Sequence, residues 1–154
     1  MRNEILLILS VVVCFGSVLV FLKLFREIGL FAWTIIATIT ANIEVLILVK
    51  AFGMEQTLGN VLFASTFLVT DILSEIYGRK SANKAVLIGC ATSVIFIILS
   101  QYWLLYIPSE NDWAMPAMKN IFSNSPRVMF AGLVAYAVSQ LFDVWAYHKW
   151  WAFT

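Results

Sequence analysis

Charge is scarce in this sequence. Only 12% of the 154 residues are charged, whereas a soluble domain usually has about 25%. The ten Lys and Arg nearly balance the nine Asp and Glu, so the chain lacks the clustered positive charge that nucleic-acid binding requires. Hydrophobic residues make up 62% of the chain. Because too few polar residues remain to cover a water-exposed fold, we predict an integral membrane protein with no nucleic-acid partner.

Reactive and metal-ligating residues are also few, with two Cys and one His. Cys14 and Cys90 lie in apolar runs, away from other residues at metal-ligand spacing, and we interpret them as small buried hydrophobic side chains. His148 lies beside Lys149 at the end of the last apolar run, which favours a surface position. The sequence has no nucleophile constellation, Gly-rich phosphate loop or HExxH motif. It therefore predicts no enzyme, no cofactor and no metal site.

Long apolar runs divide the chain. A spanning helix needs about 20 mostly apolar residues, and runs of this kind cover residues 5–22, 29–49, 58–77, 85–107 and 128–147. We therefore predict an all-α polytopic membrane bundle of about five transmembrane helices, with residues 1–154 forming a single domain. The first run lacks the flanks and cleavage site of a signal peptide, so we expect a retained helix.

The longest connection between these runs covers residues 108–126. Four of its apolar residues follow helical spacing, so a short amphipathic helix on the membrane surface and a plain loop both fit: Ala114, Met118, Ile121 and Phe122.

Positive charges in the connections predict the orientation. Six Lys and Arg follow the first, third and fifth runs, namely Lys23, Arg26, Arg79, Lys80, Lys84 and Lys149. Four lie on the other side, namely Arg2, Lys50, Lys119 and Arg127. The positive-inside rule therefore favours an external N-terminus and a cytoplasmic C-terminus.

Carboxylates within the apolar runs are candidate functional groups, because a charged side chain at membrane depth is costly. Asp71 and Asp143 lie in two runs predicted to be parallel, and the helical rise places them at similar depths, roughly 7 to 10 Å from the cytoplasmic ends. Glu75 is four residues before Arg79, which favours an interfacial ion pair. Glu44 is near the outer end of its run, where a carboxylate reaches water at little cost.

The last apolar run has a polar face. Tyr136, Ser139, Gln140 and Asp143 follow the i, i+3, i+4, i+7 spacing of one helix face. Hydrogen bonding between helices and a substrate site both explain such a face. The carboxylate favours a site, because neutral residues hold helices together at lower cost. Asn42, in the second run, fits either role equally.

Two sequence stretches resemble a known family. Residues 67–86 read FLVTDILSEIYGRKSANKAV, and residues 120–144 read NIFSNSPRVMFAGLVAYAVSQLFDV. Both are similar to signatures of the queuosine precursor transporter family, also called the vitamin uptake transporter family, and residues 41–66 resemble the helix that precedes the first signature. The resemblance implies uptake of a small-molecule substrate, a 7-deazaguanine such as 7-cyano-7-deazaguanine, across the bacterial inner membrane for queuosine biosynthesis and tRNA modification.

The resemblance also points to individual residues. Thr70, Asp71 and Glu75 lie in the first signature, and Arg127, Gln140 and Asp143 lie in the second. As hypotheses, a buried Asp accepts the adjacent N–H and amino groups of a guanine-like base, Gln140 complements the ring carbonyl, and Tyr136 packs on the base. The substrate-binding residues predicted in total are Asp71, Asp143, Gln140, Thr70, Tyr136, Ser139, Asn42, Glu75 and Arg127.

Two other functions stay open at this point: a substrate-binding membrane subunit with a separate energising partner, and a membrane structural or assembly protein. Family chains generally continue beyond the second signature with further spanning segments, whereas this sequence ends at Thr154. We therefore expect either a shortened form or a working unit completed by another chain, including a homo-oligomer.

Overall fold

Five helices and one short β-hairpin make up the structure, a computed structural model that describes residues 2–151. The elements are α1 (Arg2–Glu44), β1 (Leu48–Ala51), β2 (Met54–Thr57), α2 (Asn60–Ile76), α3 (Arg79–Trp103), α4 (Met115–Phe122) and α5 (Pro126–Trp151). Within these residues α1, α3 and α5 are long and apolar enough to cross a membrane. The predicted all-α membrane bundle is confirmed, with the β-hairpin as an addition.

Helix α1 folds back on itself at Arg26, whose backbone angles (φ 53°, ψ −133°) are not helical. The turn divides α1 into a first arm, residues 2–25, and a second arm, residues 27–44. The arms run antiparallel, because the rings of Phe21 and Trp33 are 5.7 Å apart and the Asn3 amide donates to the Lys50 carbonyl at 2.9 Å. Gly29 packs against the Phe21 carbonyl so closely that a Cβ there would overlap it. The two arms correspond to the first two apolar runs of the sequence.

The β-hairpin replaces the predicted end of the second run. The helix ends at Glu44, and Leu48–Ala51 instead pairs antiparallel with Met54–Thr57. Phe52 and Gly53 join the strands with φ angles of 51° and 78°, the paired positive values of a type I′ turn. Apolar content alone does not distinguish a strand from a helix end, which is why the run to residue 49 was predicted as helix.

Helix α3 also departs from its predicted bounds. It begins at Arg79 and ends at Trp103, so the basic segment at residues 79–84 forms its first turns and is not part of a connection. Gly78 precedes it with a φ of 84°, a value that glycine adopts without steric cost.

The longest connection contains a helix, α4. The Asp112 carboxylate accepts a hydrogen bond from the Met115 backbone N–H at 2.7 Å and caps its first turn. At the other end, buried Phe122 packs its ring 6.3 Å from that of Phe96 and 6.2 Å from that of Trp103. The helix is therefore anchored to α3, and the helical alternative for this connection is the one observed.

The interior of the bundle is more polar than its outer faces. Thr38, Thr66, Thr70 and Gln140 are at least 98% buried. Large apolar side chains on the outer faces of α3 and α5 are exposed instead, including Leu87, Ile95, Ile98, Phe130, Val138 and Phe142. This distribution suits a lipid environment, where small and polar residues hold helices together. It also places Asn42, Thr70 and Gln140 of the predicted residues in the interior.

Candidate functional site

Gln140 of α5 lies at the centre of the bundle and is fully buried. Its Nε2 donates to the Thr66 hydroxyl at 2.8 Å, and its Oε1 accepts from the Thr70 hydroxyl at 3.0 Å. The two threonines are one turn apart on α2. The Gln140 amide therefore joins α5 to α2 in a defined orientation. Its second Nε2–H and its second Oε1 lone pair remain for another partner.

Tyr136 lies one turn before Gln140 and is 5% exposed. Its ring is 5.7 Å from that of Phe63, and its hydroxyl points to Gly89 of α3, where a Cβ would overlap the tyrosine. Thr38 and Thr66 lie near this hydroxyl, although neither meets hydrogen-bond geometry with it within residues 2–151. The bundle core therefore contains a buried hydroxyl that is available to a ligand or a water molecule.

Asn42 connects the second arm of α1 to α3. Its Nδ2 donates to the Ser93 hydroxyl at 3.0 Å and to the Thr38 carbonyl at 2.8 Å. Trp33, on the same arm, donates to the Ser65 hydroxyl of α2 at 3.0 Å. These bonds hold helices together, which is the structural role considered for such residues.

Asp71 of α2 and Asp143 of α5 are both half-buried. One oxygen of Asp143 is buried without a hydrogen-bond partner in the described part of the chain. Asp143 is also less than one turn from Gln140. The two carboxylates, the fixed amide and the tyrosine hydroxyl thus lie along the neighbouring helices α2 and α5.

Glu75 lies at the rim of this region and is exposed. Its carboxylate accepts a hydrogen bond from the Tyr147 hydroxyl, and the predicted ion pair with Arg79 is not formed. Glu75 and Asp71 line a cavity of about 440 Å³, whose other walls are the apolar Leu19, Leu22, Ile72 and Ile76 together with Tyr147. Asp71 and Glu75 are therefore reached through a mostly apolar opening.

Two of the predicted residues lie apart from this group. Ser139 is exposed and lines a different cavity, of about 230 Å³, with Phe63, Phe67 and Tyr136. Arg127 is exposed in the first turn of α5. It precedes Asp143 by sixteen residues, roughly 24 Å along the helix. The shared spacing of Ser139 with its neighbours did not reveal that its side chain is exposed, in a cavity separate from that of Asp71 and Glu75.

Several core residues were not predicted from the sequence. Thr38, Thr66, Ser93 and Gly89 all contact the predicted residues. A four-residue spacing links Thr34 and Thr38 to Asn42, and Thr66 to Thr70, which was the available signal for buried faces. Within residues 2–151, no group of three or more His, Cys, Asp or Glu is placed to hold a metal ion.

These features define a polytopic helical membrane protein with a polar interior. A family model described as "Putative vitamin uptake transporter" matches residues 57–154, and the chain belongs to this family. It is 39% identical over 147 residues to the "Probable queuosine precursor transporter" of Bacillus subtilis (strain 168). That match covers 96% of this chain and 64% of the relative's length. No solved structure matches the chain.

The comparisons confirm the resemblance noted in the sequence. Both the family and the relative are described as transporters and not as enzymes. The chain is therefore a multi-pass membrane protein of a transporter family, as predicted.

Proposed function

We propose that this protein imports a queuosine precursor, a 7-deazaguanine such as 7-cyano-7-deazaguanine, for tRNA modification. The name of the Bacillus subtilis relative supports this substrate class. The structural observation that carries the proposal is the half-buried carboxylate of Asp143, one oxygen of which is buried and has no partner among the described residues. An intramembrane carboxylate without a partner is a functional group by default, since its burial is costly.

The chemistry of a guanine-like base fits these residues. Its edge presents an N–H and an amino group side by side, and one carboxylate can accept both in a bidentate arrangement. Asp143 is suited to this role. Thr66 and Thr70 orient Gln140, whose remaining N–H can donate to the ring carbonyl. Tyr136 supplies an aromatic face or its free hydroxyl.

The other predicted residues have lesser roles in this proposal. Glu75 lines the opening to the carboxylates, Asn42 stabilises the core through Ser93, and Ser139 contacts the second cavity. Arg127 lies at the end of the bundle where α5 begins, and in this proposal it does not touch the base.

The proposed membrane arrangement uses five helical segments. Both arms of α1, together with α2, α3 and α5, cross the cell inner membrane, and the N-terminus is external. The Arg26 turn, the start of α3 and the end of α5 then face the cytoplasm, where the larger number of Lys and Arg is expected.

The test is precursor uptake, measured as tRNA queuosine content in cells that cannot make the precursor and receive it at nanomolar concentration. We expect Asp143→Asn and Asp71→Asn each to lower queuosine about tenfold or more, because a charged hydrogen bond of 1.5 to 3 kcal/mol is lost. Glu110→Gln, an exposed position outside the helices, is the matched control and should keep wild-type uptake.

The amount of folded protein in the membrane separates this function from a structural one. Under the proposal, both Asp variants accumulate like the wild type while uptake falls. If uptake falls only in proportion to folded protein, the carboxylates support the bundle and the transport proposal is wrong. Uptake by the purified chain in liposomes would further exclude a separate energising partner.

A further inference from the structure

A separate cavity lies at the opposite end of the bundle from Asp71 and Asp143. It has a volume of about 400 Å³ and is enclosed by both arms of α1, the β-hairpin and the start of α2. Its walls are mainly apolar, with Leu6, Val49 and Leu62 among them, and Cys14 lies in the first arm. This volume is within the range of about 300 to 1,000 Å³ found for small-molecule sites.

Glu44 is the one carboxylate in this cavity wall. The other polar side chains there already have backbone partners: Ser10 donates to the Leu7 carbonyl at 2.8 Å, Thr40 to the Ile36 carbonyl at 2.9 Å, and Asn3 to the Lys50 carbonyl at 2.9 Å. Glu44 is half-buried and has no hydrogen bond or ion pair to another residue in 2–151. The cavity thus combines apolar walls with a single acceptor that lacks a donor.

The β-hairpin covers this end of the cavity. Val49 contributes from β1, and Leu58, directly after β2, contributes from the other side. The Asn3 bond to Lys50 and a 3.3 Å hydrogen bond from the Phe52 backbone N–H to the Glu4 carboxylate attach the hairpin to the first arm of α1. Glu44 therefore lies in the wall of a partly enclosed space at the end of its helix.

We infer that this cavity is an entry site for the transported heterocycle, in which Glu44 accepts its adjacent N–H groups. The inference rests on the proposed function, because the ligand is the same. An apolar wall suits the faces of a planar ring, and an unpaired carboxylate suits an edge with two donors. Asp71 lies nine residues beyond Leu62 on α2, roughly 13 Å further along the helix axis. The inference places the two sites in succession along α2.

Cys14 provides a direct reporter of occupancy, because it lines this cavity and the chain has only one other cysteine, Cys90. In a Cys90→Ala variant of the full chain in liposomes, alkylation of Cys14 by N-ethylmaleimide is followed with and without 7-cyano-7-deazaguanine. We expect the compound to slow alkylation about threefold or more, and Glu44→Gln to raise the protecting concentration about tenfold, as loss of one charged hydrogen bond requires.

Glu55→Gln is the matched control. Glu55 is exposed on β2 at the same end of the bundle, so the variant removes the same charge without altering the cavity wall. In Glu55→Gln, 7-cyano-7-deazaguanine should therefore protect Cys14 as well as it does in protein that retains both glutamates. Equal protection in Glu44→Gln and in Glu44-containing protein would overturn the inference, as would uptake by a protein whose Cys14 is never protected.

Transport kinetics give a second measurement that does not need Cys14 to react. Glu44→Gln should raise the KM for precursor uptake about tenfold with little change in the maximal rate, because the entry site affects capture. An unchanged KM would overturn the entry site while the proposed function stands. If the wild type shows no uptake at all, the proposed function itself fails.

Discussion

Gln140 and Asp143 are three residues apart on α5, yet their side chains are in different situations. The Gln140 amide has a threonine partner at each end, whereas a buried Asp143 oxygen has none within the described chain. Hydrogen bonding between helices explains why a polar Gln140 is buried, but it does not explain the buried oxygen of Asp143. The helix-joining role of this polar face is therefore observed for Gln140, and substrate binding at Asp143 stays a prediction.

The contact between Gly89 and Tyr136 leads to a stability prediction. A Cβ at Gly89 would overlap the tyrosine hydroxyl and ring, so Gly89→Ala should lower the free energy of unfolding by about 1 to 3 kcal/mol, the usual cost of overpacking. The measurement is thermal unfolding of the purified protein in detergent.

Gly132→Ala in α5 is the control for that prediction, because a Cβ there meets nothing within 4 Å. It should be neutral or stabilise by up to about 1 kcal/mol, as alanine favours helix. Adding Tyr136→Phe to Gly89→Ala should recover part of the loss, since the hydroxyl is the nearest atom. Equal stability of Gly89→Ala and Gly132→Ala would contradict the close packing.

At the scale of the elements, α1 depends on one tight turn. Arg26 has a positive φ of 53° with ψ at −133°, a conformation that costs a non-glycine residue about 1 to 3 kcal/mol. The turn is required because Gly29 must approach the Phe21 carbonyl for the two arms to pack. The packing of the two arms against each other and against α2 therefore offsets the cost of the unfavourable backbone conformation at Arg26.

Replacing Arg26 by glycine should relieve this strain. We expect Arg26→Gly to raise the free energy of unfolding by about 1 kcal/mol, since glycine adopts positive φ without a Cβ clash. Arg26→Ala removes the same charge but keeps the Cβ, and should give no such gain. Thermal unfolding of both variants checks this, and a gain in Arg26→Ala equal to that in Arg26→Gly would attribute the effect to charge.

At the scale of the whole molecule, the helices enclose polar side chains and expose apolar ones. Thr70 and Gln140 are at least 98% buried, while Leu87 is 66% exposed and Phe142 is 65% exposed. A water-soluble bundle would show the reverse, whereas lipid accepts an apolar exterior. The β-hairpin lies at one end of the bundle, and the Arg26 turn and the start of α3 lie at the other.

This arrangement predicts the labelling of the two ends in intact cells. In a variant with both native cysteines replaced by alanine, a membrane-impermeant maleimide should label Glu55→Cys on the hairpin and not Lys80→Cys at the start of α3. The physical reason is the excess of positive charge at the Lys80 end. Lysed cells, in which both positions should react, are the control. Labelling of Lys80→Cys alone in intact cells would mean the opposite orientation.

The sequence by itself determined that this is a membrane protein and to which family it belongs. It also determined which polar residues lie within helices. Low charge, long apolar runs and helical spacing are local properties, so they indicate that Asp71, Gln140 and Asp143 share the bundle interior. The tertiary structure decided which partner each side chain meets: Glu75 bonds Tyr147 instead of Arg79, Glu44 faces a cavity, and Arg127 lies far from the carboxylates. These outcomes depend on contacts between helices that are distant in sequence. They also depend on the β-hairpin, because the apolar residues of its first strand cannot be distinguished from a helix end until the pairing with the second strand is known.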